Sequence, residues 1–241
     1  MNTLSRKQRE LYEREQLILD TAQHIMNREG IAGLTMERIA TEIEYSKGTV
    51  YNHFASKEDI LGAISSRCMN KLVELFTRAS HYCGNNRERI SALVIAHSLY
   101  ARLHPVEVQN MQIIKSKDIR ERISPTKQEE ILQLEQKVTG IALNIIKDAM
   151  VEGDIPANEN HAPDGILLGL WSMSYGSNLL HLSDIPFDRL GMRTPLELAW
   201  INSNKLLDSY HWKPLSHEVN IHTLYQTLSS ELYSEELQQL K

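Results

Sequence analysis

The segment from Ser46 to Lys57 concentrates hydrogen-bond donors in a short stretch that carries no acidic residue. A helix that begins at Lys47 would turn Val50 and Phe54, which are four residues apart, towards the protein. Its outward residues would then be small or polar, and they are Lys47, Gly48, Thr49, Tyr51, Asn52 and His53. Side chains of these types can donate to phosphate oxygens and reach the edges of bases. The pattern indicates either a nucleic-acid-binding surface or the solvated face of a structural helical hairpin.

The residue types divide this surface by the part of a duplex that each side chain could contact. Thr49 has a hydroxyl group and a methyl group, which suit a base edge or the methyl group of thymine. Lys47 and Asn52 could also read bases. Tyr51 and His53 could donate to phosphate oxygens, which position a protein on DNA without reading its sequence.

Helix starts contribute to the same surface. Gly48 would cost about 1 kcal/mol relative to alanine inside a helix, but in a first turn its missing side chain lets another surface approach closely. Ser46 is the expected N-cap of this helix. Lys57 begins the next helix, where it could bind a phosphate, because helix N-termini themselves favour anions.

Capping signals place this surface on the last of three helices. Gly30 suits the residue that ends a helix, and Thr35 can accept a hydrogen bond at the start of the next one. A turn of about three residues joins the second and third helices, which is the outline of a helix-turn-helix. The predicted helices span residues 10–29, 36–43 and 47–54.

The rest of the chain also predicts helices and shows no strand-like alternation. Only 11 Gly and 7 Pro occur in 241 residues, and helix-forming side chains fill the long stretches between them. The predicted fold class is therefore all-α. The further helices are predicted at residues 57–80, 87–103, 105–122, from Pro125 onward, 164–182 and 195–210, with a last segment, 217–240, that is helical or partly mobile.

Charge and motif content constrain the function in different ways. The net charge is −5, but residues 1–57 hold eight basic and eight acidic residues, so the acidic excess lies in the remainder. This distribution is compatible with phosphate contact but does not demand it. HExxH, CxxC, GxSxG and phosphate-loop motifs are absent from the sequence, so we expect no enzyme activity, no metal and no cofactor.

Three features bear on the compartment. Cys68 and Cys83 lack metal-ligand spacing and favour a reducing environment. The N-terminus shows no apolar secretion signal. Ile166–Leu182, the longest apolar stretch, is too short and too polar for a membrane span of about 20 residues. We therefore expect a soluble, cytoplasmic protein that does not bind a membrane.

Residues 17–61 resemble the DNA-binding domain of the TetR (tetracycline-repressor-like) transcriptional regulators almost throughout. The matched positions are Ala22, Gly30, Thr35, Ile39, Ala40, Ser46, Gly48, Tyr51, Phe54, Lys57 and Leu61. The family usually has Ala or Val before the turn, where this chain has Ile43, Glu44 and Tyr45. The turn surface is therefore expected to be individual to this chain, and beyond residue 65 the resemblance is architectural only.

The resemblance implies a three-helix DNA-binding domain at residues 1–60 and a larger helical ligand-binding and dimerisation domain at residues 61–241. It also implies a homodimer that binds a palindromic operator, as a repressor released by a small-molecule effector. The residues that match DNA contacts of the family are Thr35, Lys47, Thr49, Tyr51, His53 and Lys57. Lys47 and Thr49 are expected to read bases, and the other four to bind the DNA backbone.

The first nine residues are predicted to form a flexible basic arm. Ser5, Arg6, Lys7 and Arg9 belong to it, and such an arm could enter a minor groove. The alternative is that the arm is simply disordered.

Two apolar sets in the second domain have competing interpretations. The last two long helices carry more apolar surface than one core needs, and their family position favours a four-helix dimer interface. This set is Leu167, Leu170, Trp171, Leu179, Leu196, Trp200 and Leu207. The second set could line a largely apolar effector cavity, and it is Tyr100, His104, Met111, Ile114, Met150, Trp171, Met173 and Tyr175. Core packing is the alternative for the first set, and it explains the second set equally well.

A different function remains compatible with the same dimeric fold. The protein could be an adapter that binds another protein and uses DNA mainly as a platform. Such an adapter would need no small-molecule effector, so its DNA affinity would not respond to one.

Overall fold

The computed structural model describes residues 5–156 and 162–240. Within these ranges the protein consists of α-helices and a short 3₁₀ helix, Ile31–Gly33, with no strand, so the predicted all-α class is confirmed. None of the helices in these ranges is long and apolar enough to cross a bilayer. The α-helices are α1 Arg6–Glu29, α2 Met36–Glu42, α3 Lys47–Tyr51, α4 Lys57–Ser80, α5 Asn86–Leu103, α6 Pro105–Ile114, α7 Lys117–Arg120, α8 Pro125–Glu152, α9 Pro163–His181, α10 Pro195–Ser209, α11 Ile221–Leu232 and α12 Ser234–Gln238.

The chain divides into two compact units. The first unit consists of Met1–Met69 with Val106–Gln133, and the second of Asn70–Pro105 with Leu134–Lys241. Each unit is therefore built from two separate segments of the chain. The predicted division after residue 60 concerns function rather than packing, and it stays a prediction.

The core of the first unit forms where α1, α2 and α3 each bury one apolar face. The side chains at its centre are fully buried, and they are Ile18, Ile25, Ile39 and Val50. Burying one such side chain contributes about 1.5–3 kcal/mol. Short helices such as α2 and α3 are marginal alone, so this packing stabilises them. The inward orientation predicted for Val50 and Phe54 is confirmed.

Ion pairs connect the end of α1 to α2. Arg28 donates to Glu42 at 2.8 Å, and Arg38 forms a bidentate pair with Glu29. The hydrogen bonds from Arg38 and Arg28 lower the pKa of Glu29. Because water reaches all four side chains, these pairs orient the two helices more than they stabilise them.

The start of α1 differs from the prediction. The helix begins at Arg6 because Ser5 and Gln8 form a capping box, in which Ser5 Oγ accepts from the Gln8 N–H at 3.3 Å. In return, the Ser5 N–H donates to Gln8 Oε1 at 2.9 Å. The expectation of a flexible arm is therefore wrong for residues 6–9, which are helical. The first four residues of the predicted arm lie outside the described part of the chain.

Other boundaries also differ from the predicted ones. Helix α3 ends at Tyr51 rather than at Phe54. The predicted helix 105–122 is two helices, α6 and α7, because the extended backbone of Ser116 interrupts it. The last segment, for which a helical or a partly mobile state was expected, forms α11 and α12.

The second unit buries a charged residue. Arg87, on α5, is only 1% exposed, and it donates to the backbone oxygens of Trp212 and Asn204. It also pairs with Asp208 at 2.7 Å. Burial alone would raise the pKa of Asp208, but the hydrogen bonds from Ser216 and Arg87 lower it overall. The guanidinium group thus joins α5 to α10 and to the segment after α10.

Tyr233 fixes the C-terminal helices within the same unit. Its side chain is fully buried, and its hydroxyl group donates to Ala92 O at 3.1 Å and to Leu75 O at 3.4 Å. Burial raises the pKa of this phenol. Arg78 lies over the Tyr233 ring, 5.5 Å from its centroid, and bonds Glu236 on α12 at 2.8 Å.

Candidate nucleic-acid interface

A Schellman motif forms the turn between α2 and α3. The Tyr45 N–H donates to Ala40 O at 3.0 Å, and the Glu44 N–H donates to Thr41 O at 3.2 Å. Glu44 has a φ of 57°, a conformation that usually selects glycine. The turn exposes Tyr45, so the residues that depart from the usual family pattern lie at the surface.

The start of α3 is capped as predicted, and the cap involves Thr49. Ser46 Oγ accepts from the Thr49 N–H at 3.1 Å, and the two hydroxyl oxygens are 2.8 Å apart. The Thr49 hydroxyl group is therefore engaged within the protein. Its methyl group remains the part of the side chain best able to contact a base, where the methyl group of thymine would suit it.

Lys47, a predicted base-reading residue, is exposed but already has a partner. Its ammonium group forms an ion pair with Glu37 on α2 and lies 5.6 Å from the ring centroid of Tyr51. The hydrogen bond between the two side chains lowers the pKa of Glu37 and raises the pKa of Lys47. Lys47 is thus held at the surface by α2 and by α3 together.

Gly48 is exposed in the first turn of α3, and the protein itself does not require a glycine there. A methyl group at this position would meet only Ser46 Oγ, at an ordinary distance of 3.7 Å. Alanine would also favour the helix by about 1 kcal/mol. A glycine that neither packing nor backbone conformation explains is consistent with close approach by an external surface.

The remaining predicted residues of α3 form the outer edge of the same face. Tyr51 and Asn52 are exposed, and His53 is partly exposed beyond the end of the helix. Helix α3 therefore presents a continuous polar surface from its cap to His53. The predicted contact residues of this segment are all exposed or partly exposed.

Two further predicted residues lie at the starts of neighbouring helices. Thr35 is exposed and caps α2, where its hydroxyl oxygen accepts from the Arg38 N–H at 3.2 Å. Lys57 is the first residue of α4, and Ser56 accepts there from the Asp59 N–H at 3.1 Å. Within the described ranges Lys57 forms no ion pair, so its ammonium group can bind an anion without first breaking an ion pair.

Prediction from sequence missed Glu37, Arg14 and Tyr45. Glu37 is the ion-pair partner of Lys47, and Arg14 on α1 lies 5.5 Å from the ring centroid of Tyr45. The first contact joins α2 to α3, and the second joins α1 to the turn after α2, so no spacing along the chain signals them. Arg14 and Tyr45 add a cation and an aromatic ring to the surface beside the turn.

Comparison with known families decides how this unit is classified. Residues 18–64 match the model for bacterial regulatory proteins of the tetR family. This range runs from the buried Ile18 of α1 through α2 and α3 into α4. This part of the chain is therefore similar to regulatory proteins of the tetR family.

Parts of the chain are similar in sequence to transcriptional and metabolic regulators. An HTH-type transcriptional regulator of Staphylococcus aureus is 33% identical over 64 residues, which are 27% of this chain and 35% of the relative. The fatty acid metabolism regulator protein of Bacillus subtilis is 26% identical over 140 residues, which are 56% of this chain and 66% of the relative. The chain thus spans about one third to two thirds of the length of these relatives.

Solved structures extend the likeness in fold to about four fifths of the chain. A regulatory protein of the tetR family from Rhodococcus has a TM-score of 0.62 at 18% identity, over 81% of this chain and 96% of its own. A regulator from Saccharomonospora viridis in complex with choline has a TM-score of 0.63 at 18% identity, over 82% and 96%. At this identity the likeness establishes the fold alone.

The predicted dimer residues divide by their burial. Leu170, Trp200 and Leu207 are 4%, 6% and 1% exposed within the chain itself. They therefore contribute little surface to a partner, and core packing is the correct interpretation for them. Leu167, Leu179 and Leu196 are partly exposed. Trp171 is 46% exposed, and Leu168, its neighbour on the same helix face, is 59% exposed.

The predicted effector residues belong to different parts of the molecule. The rings of Tyr100 and His104 lie side by side at the end of α5, with centroids 5.0 Å apart and planes tilted by 46°. Met111 and Ile114 are buried in the first unit. The other four lie in the second unit, and they are Met150, Trp171, Met173 and Tyr175. None of the eight lines the groove between α5, α10 and α11, and their role in ligand binding stays a prediction.

Proposed function

We propose that the protein is a cytoplasmic, homodimeric, sequence-specific DNA-binding transcriptional regulator. Its action is repression, relieved when a small-molecule effector binds the second unit. The main support is the polar face of α3 around Gly48. This face is exposed, and the Ser46 cap orders it. No packing contact within the protein requires a glycine there. A face of this kind fits the major groove, which admits an α-helix.

The contacts divide into those that position the protein and those that read sequence. Tyr51 ends α3 and His53 follows it, while Thr35 and Lys57 lie at the starts of α2 and α4. We assign these four residues to phosphates. Lys47 and Thr49 project from the first turn of α3, and we assign them to base edges, with Ser46, Gly48 and Asn52 completing the surface. This arrangement follows from helix-turn-helix geometry, in which residues near the N-terminus of the second helix meet the bases.

Dimerisation is proposed through the exposed face of α9 and the adjoining side of α10. Leu168 and Trp171 expose large apolar surface there, and Leu167, Leu179 and Leu196 are partly exposed beside them. Two copies related by a two-fold axis would cover this surface. Two reading helices would then meet successive major grooves of a palindromic operator, about 34–36 Å apart.

Release by an effector would be a population shift. A ligand that binds one arrangement of the dimer more tightly than the other favours that arrangement by the difference in binding free energy. If the favoured spacing of the two reading helices does not match the operator, DNA affinity falls.

The direct test is selection from random duplexes with the purified full-length protein. We expect enrichment of an inverted repeat whose half-sites are about one helical turn apart. The matched control is the double variant Tyr51→Ala with Lys57→Ala, which keeps the buried residues of α3 and should enrich no motif. Enrichment of no duplex over scrambled competitor by the unaltered protein would refute the proposed function.

A further inference from the structure

A groove in the second unit lies between α5, α10 and α11, and the end of α9 closes one side. Its volume is about 440 Å³, within the range of about 300–1,000 Å³ that is typical of small-molecule sites. All four helices belong to the second unit. The groove is distinct from the set of residues for which the sequence predicts effector binding.

The floor and walls of the groove are apolar and fixed in place. Ile95 and Leu99 of α5 are buried beneath it. Trp200 donates its indole N–H to Ile221 O at 3.2 Å, and its ring meets Tyr225 edge-on with centroids 5.3 Å apart. These contacts attach α11 to α10, so the groove exists before any ligand binds.

One of the polar groups that line the groove is a cation without an ion-pair partner among the described residues. Arg102 of α5 and His181 of α9 both line it. Among the described residues, Arg102 forms no ion pair and the His181 imidazole forms no hydrogen bond. Glu197 also lines the groove, but its carboxylate is paired with Arg193 at 3.1 Å. An apolar groove that ends at an unpaired guanidinium group complements an apolar molecule with one anionic end.

We propose that this groove binds an amphipathic monocarboxylate. The apolar part of the ligand lies against Leu99, Trp200 and Ile201, and its carboxylate accepts hydrogen bonds from Arg102 and His181. Binding at this site is independent of DNA. Only the further step, in which the ligand acts as the effector, rests on the proposed function.

Three probes with the same tail test the charge requirement. Full-length protein is titrated with decanoate, decanol and decylammonium, and binding is followed by Trp fluorescence and by calorimetry. We expect saturable binding of one decanoate per chain, affinity for decanol weaker by about tenfold or more, and no saturable binding of decylammonium. Absence of saturable decanoate binding, or equal affinity for decanoate and decanol, would overturn the proposal.

Variants place the ligand in the groove. Arg102→Gln should weaken decanoate binding by about tenfold or more and leave decanol binding unchanged. Ser98→Phe, which fills the groove from α5, should weaken both. The matched control is Lys205→Gln, an exposed cation of α10 that does not line the groove, and it should change neither. A loss with Lys205→Gln equal to that with Arg102→Gln would overturn the assignment.

A second readout separates this proposal from the proposed function. The affinity of the selected duplex is measured with and without saturating decanoate. Decanoate that binds through Arg102 but leaves DNA affinity unchanged supports the site and contradicts effector release. A protein that selects no duplex but still binds decanoate through Arg102 refutes the proposed function and supports the site.

Discussion

The two units differ in how deeply ion pairs between their helices are buried. In the first unit, the ion pairs between α1 and α2 and the pair between Lys47 and Glu37 are accessible to water. In the second unit, Arg87 is almost completely buried against Asp208 and two backbone oxygens. An exposed pair can open at little cost and exchange one partner for another, whereas a buried pair is costly to break. The difference suits the first unit to contact with an external partner and the second to holding its helices together.

Arg87→Met should produce the largest effect on stability. The substitution leaves Asp208 and two backbone oxygens without their donor, and breaking a buried pair costs about 3–5 kcal/mol. The measurement is the free energy of unfolding from urea titration. The matched control is Arg38→Met, which removes an exposed pair and should cost far less. Equal costs for the two variants would contradict the contrast between the units.

Thr49→Ala and Lys57→Ala should separate base reading from phosphate contact. Thr49→Ala should change the preference at particular operator positions by about 1–3 kcal/mol. Lys57→Ala should weaken binding to all sequences and reduce the slope of log affinity against log salt by about one. Both are measured by titration of the selected duplex and its point variants at several salt concentrations. An unchanged slope with Lys57→Ala would remove Lys57 from the phosphate contacts.

Gly48→Ala should affect binding and folding in opposite directions. The added methyl group has room within the protein, so stability should rise by up to about 1 kcal/mol. The same methyl group would hold DNA away from α3, and affinity should fall by about tenfold, roughly 1.4 kcal/mol. Thermal unfolding and duplex titration give the two values. Unchanged affinity would show that α3 does not approach DNA closely at this residue.

Glu44→Gly should give the smallest change, a gain in stability of about 1 kcal/mol. Glu44 has a positive φ, which costs a non-glycine residue about that amount. The matched control is Gly30→Ala, at another positive φ of 71° where an added Cβ meets no atom within 4 Å. This control should lose stability by about 1–3 kcal/mol from backbone strain alone. The two variants should change the free energy of urea unfolding in opposite directions. Changes in the same direction would exclude the backbone explanation.

Local signals account for what could be predicted from the sequence. Thr35 and Ser46 cap α2 and α3 as predicted, because a cap uses residues only three positions apart. The capping box of Ser5 and Gln8 has the same local signature, so the true start of α1 was also readable from the sequence. Its basic neighbours instead favoured the interpretation as an arm.

Contacts between distant residues account for what could not be predicted. Arg87 meets Trp212, which lies 125 positions away, and the groove combines α5 with α11. Hydrophobic periodicity shows that a helix face is buried, but it does not show which helix covers it. For the same reason, the apolar set predicted for the dimer contained Trp200, which is covered by α11 of its own chain.

The pairing of Lys47 with Glu37 gives the reading helix an internal competitor. Under the proposed function, the ammonium group of Lys47 is already paired when it meets a duplex, so a contact with a base edge must replace the ion pair with Glu37. At a mismatched site, Lys47 would keep its ion pair with Glu37 and contribute nothing to the DNA affinity. Because the pair is exposed, opening it costs little, so under the proposed function Glu37 slightly lowers the net gain from each contact that Lys47 makes with DNA.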